Sequence, residues 1–116
     1  MARVPNSDRA IVDLRKITDY LMAPSHRRGG AKARFLADFG FTAGEPDVLA
    51  AALTVHLQSN DIVREQPSPH GTKYVIEGLL IAPDGRTPNV RSIWIIDNDA
   101  DVPRFVTAFP GRRAKA

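Results

Sequence analysis

The sequence predicts an α+β fold, with two to three N-terminal helices packed on a four-stranded antiparallel meander sheet. Apolar residues recur every three to four positions as far as Ser59 and then alternate. Gly and Pro clusters cut both halves into short elements, and the strand candidates follow one another through tight turns. Consecutive hairpins give an antiparallel meander, and helices gathered at one end of the chain must cover one of its faces. The 116 residues fit one domain with one core, since domains commonly run to roughly 100–150 residues. We expect that domain over residues 1–110, with residues 111–116 as a disordered tail.

Asn6-Ser7-Asp8 offers capping chemistry at a helix start. Ile11, Leu14, Ile17 and Leu21 recur at helical spacing, which predicts a helix over about 13–22, with residues 8–12 either helix or short strand. Ala23-Pro24-Ser25 breaks it, and Arg27-Arg28-Gly29-Gly30 reads as a basic loop. A second helix is expected from about 30 to 40, with Phe35, Leu36 and Phe39 inward and Gly40 at its end. A third runs from Pro46, a residue suited to a first turn, to about Ser59, with an apolar face of Val48, Leu49, Ala52, Leu53, Val55 and Leu57. Strands follow at Ile62–Gln66, Thr72–Ala82, Asn89–Ile96 and Pro103–Phe109, with Asp84-Gly85 as the hairpin signal between the second and third.

The absence of Cys excludes disulfides, thiolate metal sites and thiol catalysis. The three His (His26, His56, His70) are scattered, so neither a metal site nor a cofactor is expected. Twelve Arg stand against four Lys, and ten Asp against three Glu. Arg is the better planar donor to phosphate, so the skew fits a phosphate-bearing partner; a GC-rich genome would leave the same skew. A net charge of +3 does not decide between them. Charged residues interrupt the first 22 positions, which excludes a secretory h-region, and no apolar run approaches the roughly 20 residues of a membrane span. A cytoplasmic location without membrane contact is the expectation.

The glycine-rich phosphate loop, the dinucleotide fingerprint and the metal-binding His-Glu helix are all missing. What remains is local. Arg27, Arg28, Lys32 and Arg34 surround one helix start, where cations oppose the helix dipole and are not there for helix stability. An anion site and a solvated face both account for them. On the third strand, alternation puts Ser92 and Trp94 on one face and Arg91 on the other. On the fourth, Phe105, Thr107 and Phe109 are expected to share a face. A surface joining Ser92, Trp94, Thr107 and Lys73 would suit a phosphodiester and a stacked base, although a lone Trp in a central strand also belongs naturally in a core. His26 and His70 fall in loops and are candidate acid–base groups. His56 falls in the third helix as a packing or surface residue.

Several runs carry a family resemblance over nearly the whole chain. They are Pro5-Asn6-Ser7-Asp8-Arg9-Ala10, Lys16-Ile17-Thr18-Asp19-Tyr20-Leu21, Gly30-Ala31-Lys32-Ala33-Arg34-Phe35, Gly40-Phe41, Gly71-Thr72-Lys73-Tyr74, Val90-Arg91-Ser92-Ile93-Trp94-Ile95-Ile96 and Val106-Thr107-Ala108-Phe109-Pro110. Together they resemble a small bacterial domain family of unknown function, found alone or at the C-terminus of polymorphic toxins. More distantly, helices followed by a meander ending in Thr-x-aromatic-Pro resemble the barnase/colicin/RelE-type ribonuclease toxins. In a tRNA-cleaving colicin of that group, a helix-borne Lys/His pair works with a Ser-x-Trp on a strand. Lys32 and Ser92-Ile93-Trp94 are similar to those elements, but alanines flank Lys32 where that His would stand.

The resemblance implies a metal-independent ribonuclease-like toxin domain. Lys32 would hold the scissile phosphate with Arg34 and Arg91, while Ser92 and Thr107 hydrogen-bond it. Trp94 would stack or order the site, and His26 or His70 would move protons. RNA and a small acidic immunity or antitoxin protein are the partners implied. A non-catalytic binding or accessory module, antitoxin-like, fits the missing His. A structural or oligomerisation domain is the third reading.

Overall fold

The structure, a computed structural model, describes residues 3–18, 30–42 and 44–111. His26, Arg27 and Arg28, residues 19–22 of the expected first helix and residues 112–116 of the expected tail lie outside the described residues. Within them the order is helices, then strands: α1 (Leu14–Lys16), α2 (Gly30–Asp38), α3 (Pro46–Ser59), β1 (Ile62–Ser68), β2 (Gly71–Leu79), β3 (Asn89–Asp97) and β4 (Arg104–Pro110). The strands form one antiparallel sheet in the order β1-β2-β3-β4. This is the α+β meander that the change of apolar period predicts.

Local chemistry explains the boundaries. Asp13 caps α1 by accepting the Arg15 N–H at 3.0 Å. Ahead of it, Ser7–Arg9 forms a single 3₁₀ turn, and Ile11 bridges to Arg104 beside β4. The span between helix and strand expectations thus holds both. Gly40, at φ 100°, follows α2 in the left-handed conformation that a residue with Cβ resists. Pro46 begins α3. Gly85, at φ 92°, and the Asp84 carboxylate, which accepts the Arg86 N–H at 2.9 Å, close the β2–β3 connection. The first strand runs two residues beyond its expected end, and Pro67 pairs with Thr72 on this edge strand, where a missing N–H costs nothing. Gly111, expected in the tail, still donates its N–H to the Asn89 carbonyl at 2.9 Å.

The core lies between the helices and one face of the sheet. Leu36 of α2 and Leu49, Leu53 and Leu57 of α3 meet Tyr74, Ile76, Val90, Trp94, Phe105 and Ala108. Each fully buried Leu contributes roughly 1.5–3 kcal/mol relative to exposure. Trp94 and Phe105 pack edge to face, with ring centroids 5.3 Å apart. Ile17 is fully buried, whereas Ile11 and Leu14 of the same expected stripe are 53% and 44% exposed: Ile11 sits in a bridge, and α1 begins only at Leu14, so the stripe is not carried by one helix. Among the described residues no helix is long and apolar enough to cross a membrane.

Candidate functional site

The register divides the face that the sequence alternation would unite. Ser92 lies opposite Ile76 and Ala108, and Trp94 opposite Tyr74 and Phe105, so both face the helices. Lys73 pairs with Ile95, and Arg91 pairs with Glu77 and Phe109, on the other face. Thr107 belongs there too. One step on β3, from Ile93 to Trp94, spans two on β4, from Thr107 to Phe105, which makes Val106 the extra residue of a β-bulge. The bulge reverses the alternation, and Thr107 and Phe109 leave the face of Phe105. The expected surface of Ser92, Trp94, Thr107 and Lys73 is therefore not formed.

Ser92 and Trp94 are instead parts of a buried polar chain with His56, each with at most 1% exposure. Nε2 of His56 faces two acceptors, the carbonyls of Val90 at 2.9 Å and Gly78 at 3.1 Å, so this nitrogen carries the proton. Nδ1 is then an acceptor, and the Ser92 hydroxyl donates to it at 2.9 Å. The Trp94 Nε1–H donates to the same Ser92 oxygen at 2.8 Å. Burial holds the His56 imidazole below its usual pKa, against the two carbonyl hydrogen bonds that favour its charged form. A neutral His suits this site, because a charge at that depth would be costly. In this arrangement Ser92 and Trp94 hold the core and meet no solvent.

Of the expected cations, Lys32 and Arg91 lie toward one face of the sheet. Lys32, in the first turn of α2, donates from Nζ to Thr107 Oγ1 at 3.1 Å, and its ammonium lies 5.8 Å from the Phe109 ring centroid. Across the same face, Phe109 stands opposite Arg91, and Arg91 opposite Glu77. Arg91 donates from Nε to Glu77 Oε1, and Asn89 donates from Nδ2 to Glu77 Oε2 at 2.9 Å. The Arg91–Glu77 pair is partly buried. Among the described residues none accepts from the two Nη groups of Arg91. A row thus crosses the sheet from β2 to α2: a carboxylate, a guanidinium, an aromatic ring with a neighbouring hydroxyl, and an ammonium. Such a row can bind a phosphate diester through Lys32 and Arg91 and present a carboxylate beside it.

Other expected members stand apart. Arg34 is exposed on α2. Lys73 is exposed toward β1, where it pairs with Gln66. His70 is exposed in the β1–β2 turn, and the Asn98 N–H donates to its carbonyl at 3.0 Å. Six residue steps of extended strand lead from Gly71 to Glu77, about 20 Å, so His70 lies at the other end of the sheet from the Arg91–Glu77 pair.

Sequence reasoning missed Glu77 and Asn89, and it left His56 between a packing and a surface role, of which the structure shows the first. For His56 a signal was present: it falls three residues after Leu53 and seven after Leu49, on the buried stripe of α3. For Glu77 the signal was a charge directly after the apolar run Tyr74–Ile76, with an Arg at the matching position of the next strand.

A chain of a contact-dependent growth inhibition toxin–immunity protein complex from Klebsiella pneumoniae 342 has a similar structure, with a TM-score of 0.68 and 25% sequence identity. The likeness covers 87% of this chain and 99% of that one. No curated protein matches the sequence. A domain family described as being of unknown function, DUF6883, matches residues 3–112, and the chain belongs to that family.

Proposed function

We propose that this chain is a toxin-type domain that cleaves RNA phosphodiesters, with Lys32, Thr107 and Arg91 as the groups that handle the phosphate. The observation that carries the reading is the Lys32–Thr107 contact on the sheet face that also bears Arg91. The likeness to a chain of a toxin–immunity complex supports it. Hydrolytic RNA cleavage needs cations on the phosphate, a base for the 2′-hydroxyl and an acid for the leaving oxygen. Lys32 and Arg91 supply fixed positive charge, so the reaction runs without a metal ion. A small acidic immunity-type protein is the fitting partner, because Arg64 and Lys73 stand exposed on the sheet face that also bears Arg91.

The burial of Ser92 and Trp94 favours a second reading, a non-catalytic module related to the immunity side of such a complex. Purified chain incubated with total RNA in the presence of a chelator separates them. Discrete cleavage products support the toxin reading. Intact RNA, together with tight binding of a toxin domain by this chain, overturns it in favour of the second.

A further inference from the structure

We infer that this chain pairs with a second copy of itself through the outward face of α3, the two helices running antiparallel about a two-fold axis. The inference stands apart from the ribonuclease reading, because α3 packs on one face of the sheet and Arg91 stands on the other.

α3 turns Leu49, Leu53, His56 and Leu57 into the core. The far side of a surface helix is ordinarily charged. On α3 it is a second stripe, Val48, Ala51, Val55 and Gln58, whose steps of three, four and three match the seam of a helix that packs on another helix. Val48 is 38% exposed and Val55 43%, and Ala51 and Gln58 are exposed as well. The whole helix holds one carboxylate, Asp47, and neither Lys nor Arg. Val is a poorer helix former than Lys, Glu or Ala, so helix propensity does not account for it on a solvated face.

The stripe is complementary to itself when reversed, which selects a second copy as its occupant. With the axis at the level of Leu53, Val48 meets Gln58 of the other copy and Ala51 meets Val55, each contact made twice by symmetry. Ala51 lets the helix axes approach to about 8 Å, the close end of the usual range. The same register brings Asp47 level with Ser59 of the other copy. Arg3 sits at that end of α3, donating from Nε to the Gln58 carbonyl at 3.2 Å and from Nη2 to the Ser59 carbonyl at 3.4 Å, with Nη1 on Asp61. Its side chain is half exposed, and Asp47 forms no ion pair among the described residues. A carboxylate and a guanidinium therefore meet at each end of the seam, and the two helix dipoles run opposed. An acidic protein would find no Lys or Arg on α3 to meet. The 14 residues of α3 span about 21 Å, so the seam falls short of the roughly 1,600 Å² that stable complexes bury, and the dimer is weak and reversible.

Sedimentation equilibrium of the wild-type chain from about 10 μM to 1 mM should show the mass rising from one chain toward two. Val55→Lys puts an ammonium into the seam at a position the monomer exposes. Melting of the monomer should hold, while the dissociation constant rises at least about tenfold. Val48→Lys, at the other end of the stripe, should act alike. Because the chain has no Cys, introduced thiols report the register. An oxidised mixture of Ala51→Cys and Val55→Cys chains should give more covalent dimer than either chain alone. A wild-type chain that stays monomeric up to about 1 mM overturns the proposal, and so does a dimer that both folded Lys variants leave unchanged. Equal cross-linking in the mixture and in the separate chains overturns the antiparallel pairing.

Discussion

Nε2 of His56 lies 2.9 Å from the carbonyl oxygen of Val90, so a helix side chain holds the backbone of the central strand from the covered side of the sheet. The same nitrogen reaches the Gly78 carbonyl at 3.1 Å, and Gly78 is the register partner of Val90. The next pair along is Glu77 and Arg91, whose side chains stand on the opposite face. A buried hydrogen-bond chain therefore supports, through two strands, the row that we assign to phosphate chemistry.

Replacing His56 by Ala removes an inner-face connection and leaves Ser92 and two carbonyls without their partner. Cavity formation and unsatisfied polar groups together should cost about 2–5 kcal/mol. Urea denaturation should show the loss in the midpoint. A change below about 0.5 kcal/mol would mean that water or a rearranged side chain replaces the network.

The same residue makes stability depend on pH. Burial lowers the His56 pKa in the folded chain below its usual value of 6.5. Below about pH 6.5 the unfolded chain takes up a proton that the folded chain refuses. His56 therefore contributes its full stabilisation above that pH, and the contribution falls as the pH drops toward the folded value. Denaturation midpoints at pH 8, 6.5 and 5 should decline in order, and His56→Ala should flatten that part of the decline.

Ser92→Ala separates a structural serine from a substrate-binding one. It leaves the Trp94 Nε1–H and His56 Nδ1 unpaired in the core, at a cost of about 1–3 kcal/mol. Melting should move to lower temperature, while RNA cleavage per folded molecule should remain near wild type. A large loss of cleavage at unchanged stability would restore Ser92 to the site.

Gly78 admits no side chain at its present spacing. A Cβ there would overlap the Asn60 side chain, whose Nδ2 donates to the His56 carbonyl at 2.9 Å at the end of α3. Gly78→Ala should therefore destabilise the chain by displacing Asn60, and adding Asn60→Ala should recover part of the loss. The two effects should be non-additive by more than about 0.5 kcal/mol, as is usual for residues in contact. Strict additivity in the four-member cycle would contradict the contact.

The fold class was legible because the signals are local. Apolar spacing, Pro46 in a first turn, Gly40 after a helix and Asp84-Gly85 in a turn each act within a few residues. The candidate site was legible only in part. Lys32, Thr107 and Arg91 were named from their chemistry, but their neighbours depend on cross-strand register. The bulge at Val106 has no marker in the sequence, since Val is a regular strand residue, and it alone moves Thr107 to the face of Arg91. Ser92 and Trp94 were misplaced for a related reason. Their alternation was read correctly, but which face the helices cover is a tertiary outcome.

RNA cleavage by Lys32→Ala, compared with wild type at equal concentrations of folded chain, tests the assignment most directly. The substitution removes the ammonium and its hydrogen bond to Thr107, while α2 keeps an Ala, the best helix former. We predict that melting changes by no more than a few degrees and that cleavage falls by at least about 10²-fold. Cleavage at the wild-type rate by the folded variant would contradict a phosphate site at Lys32.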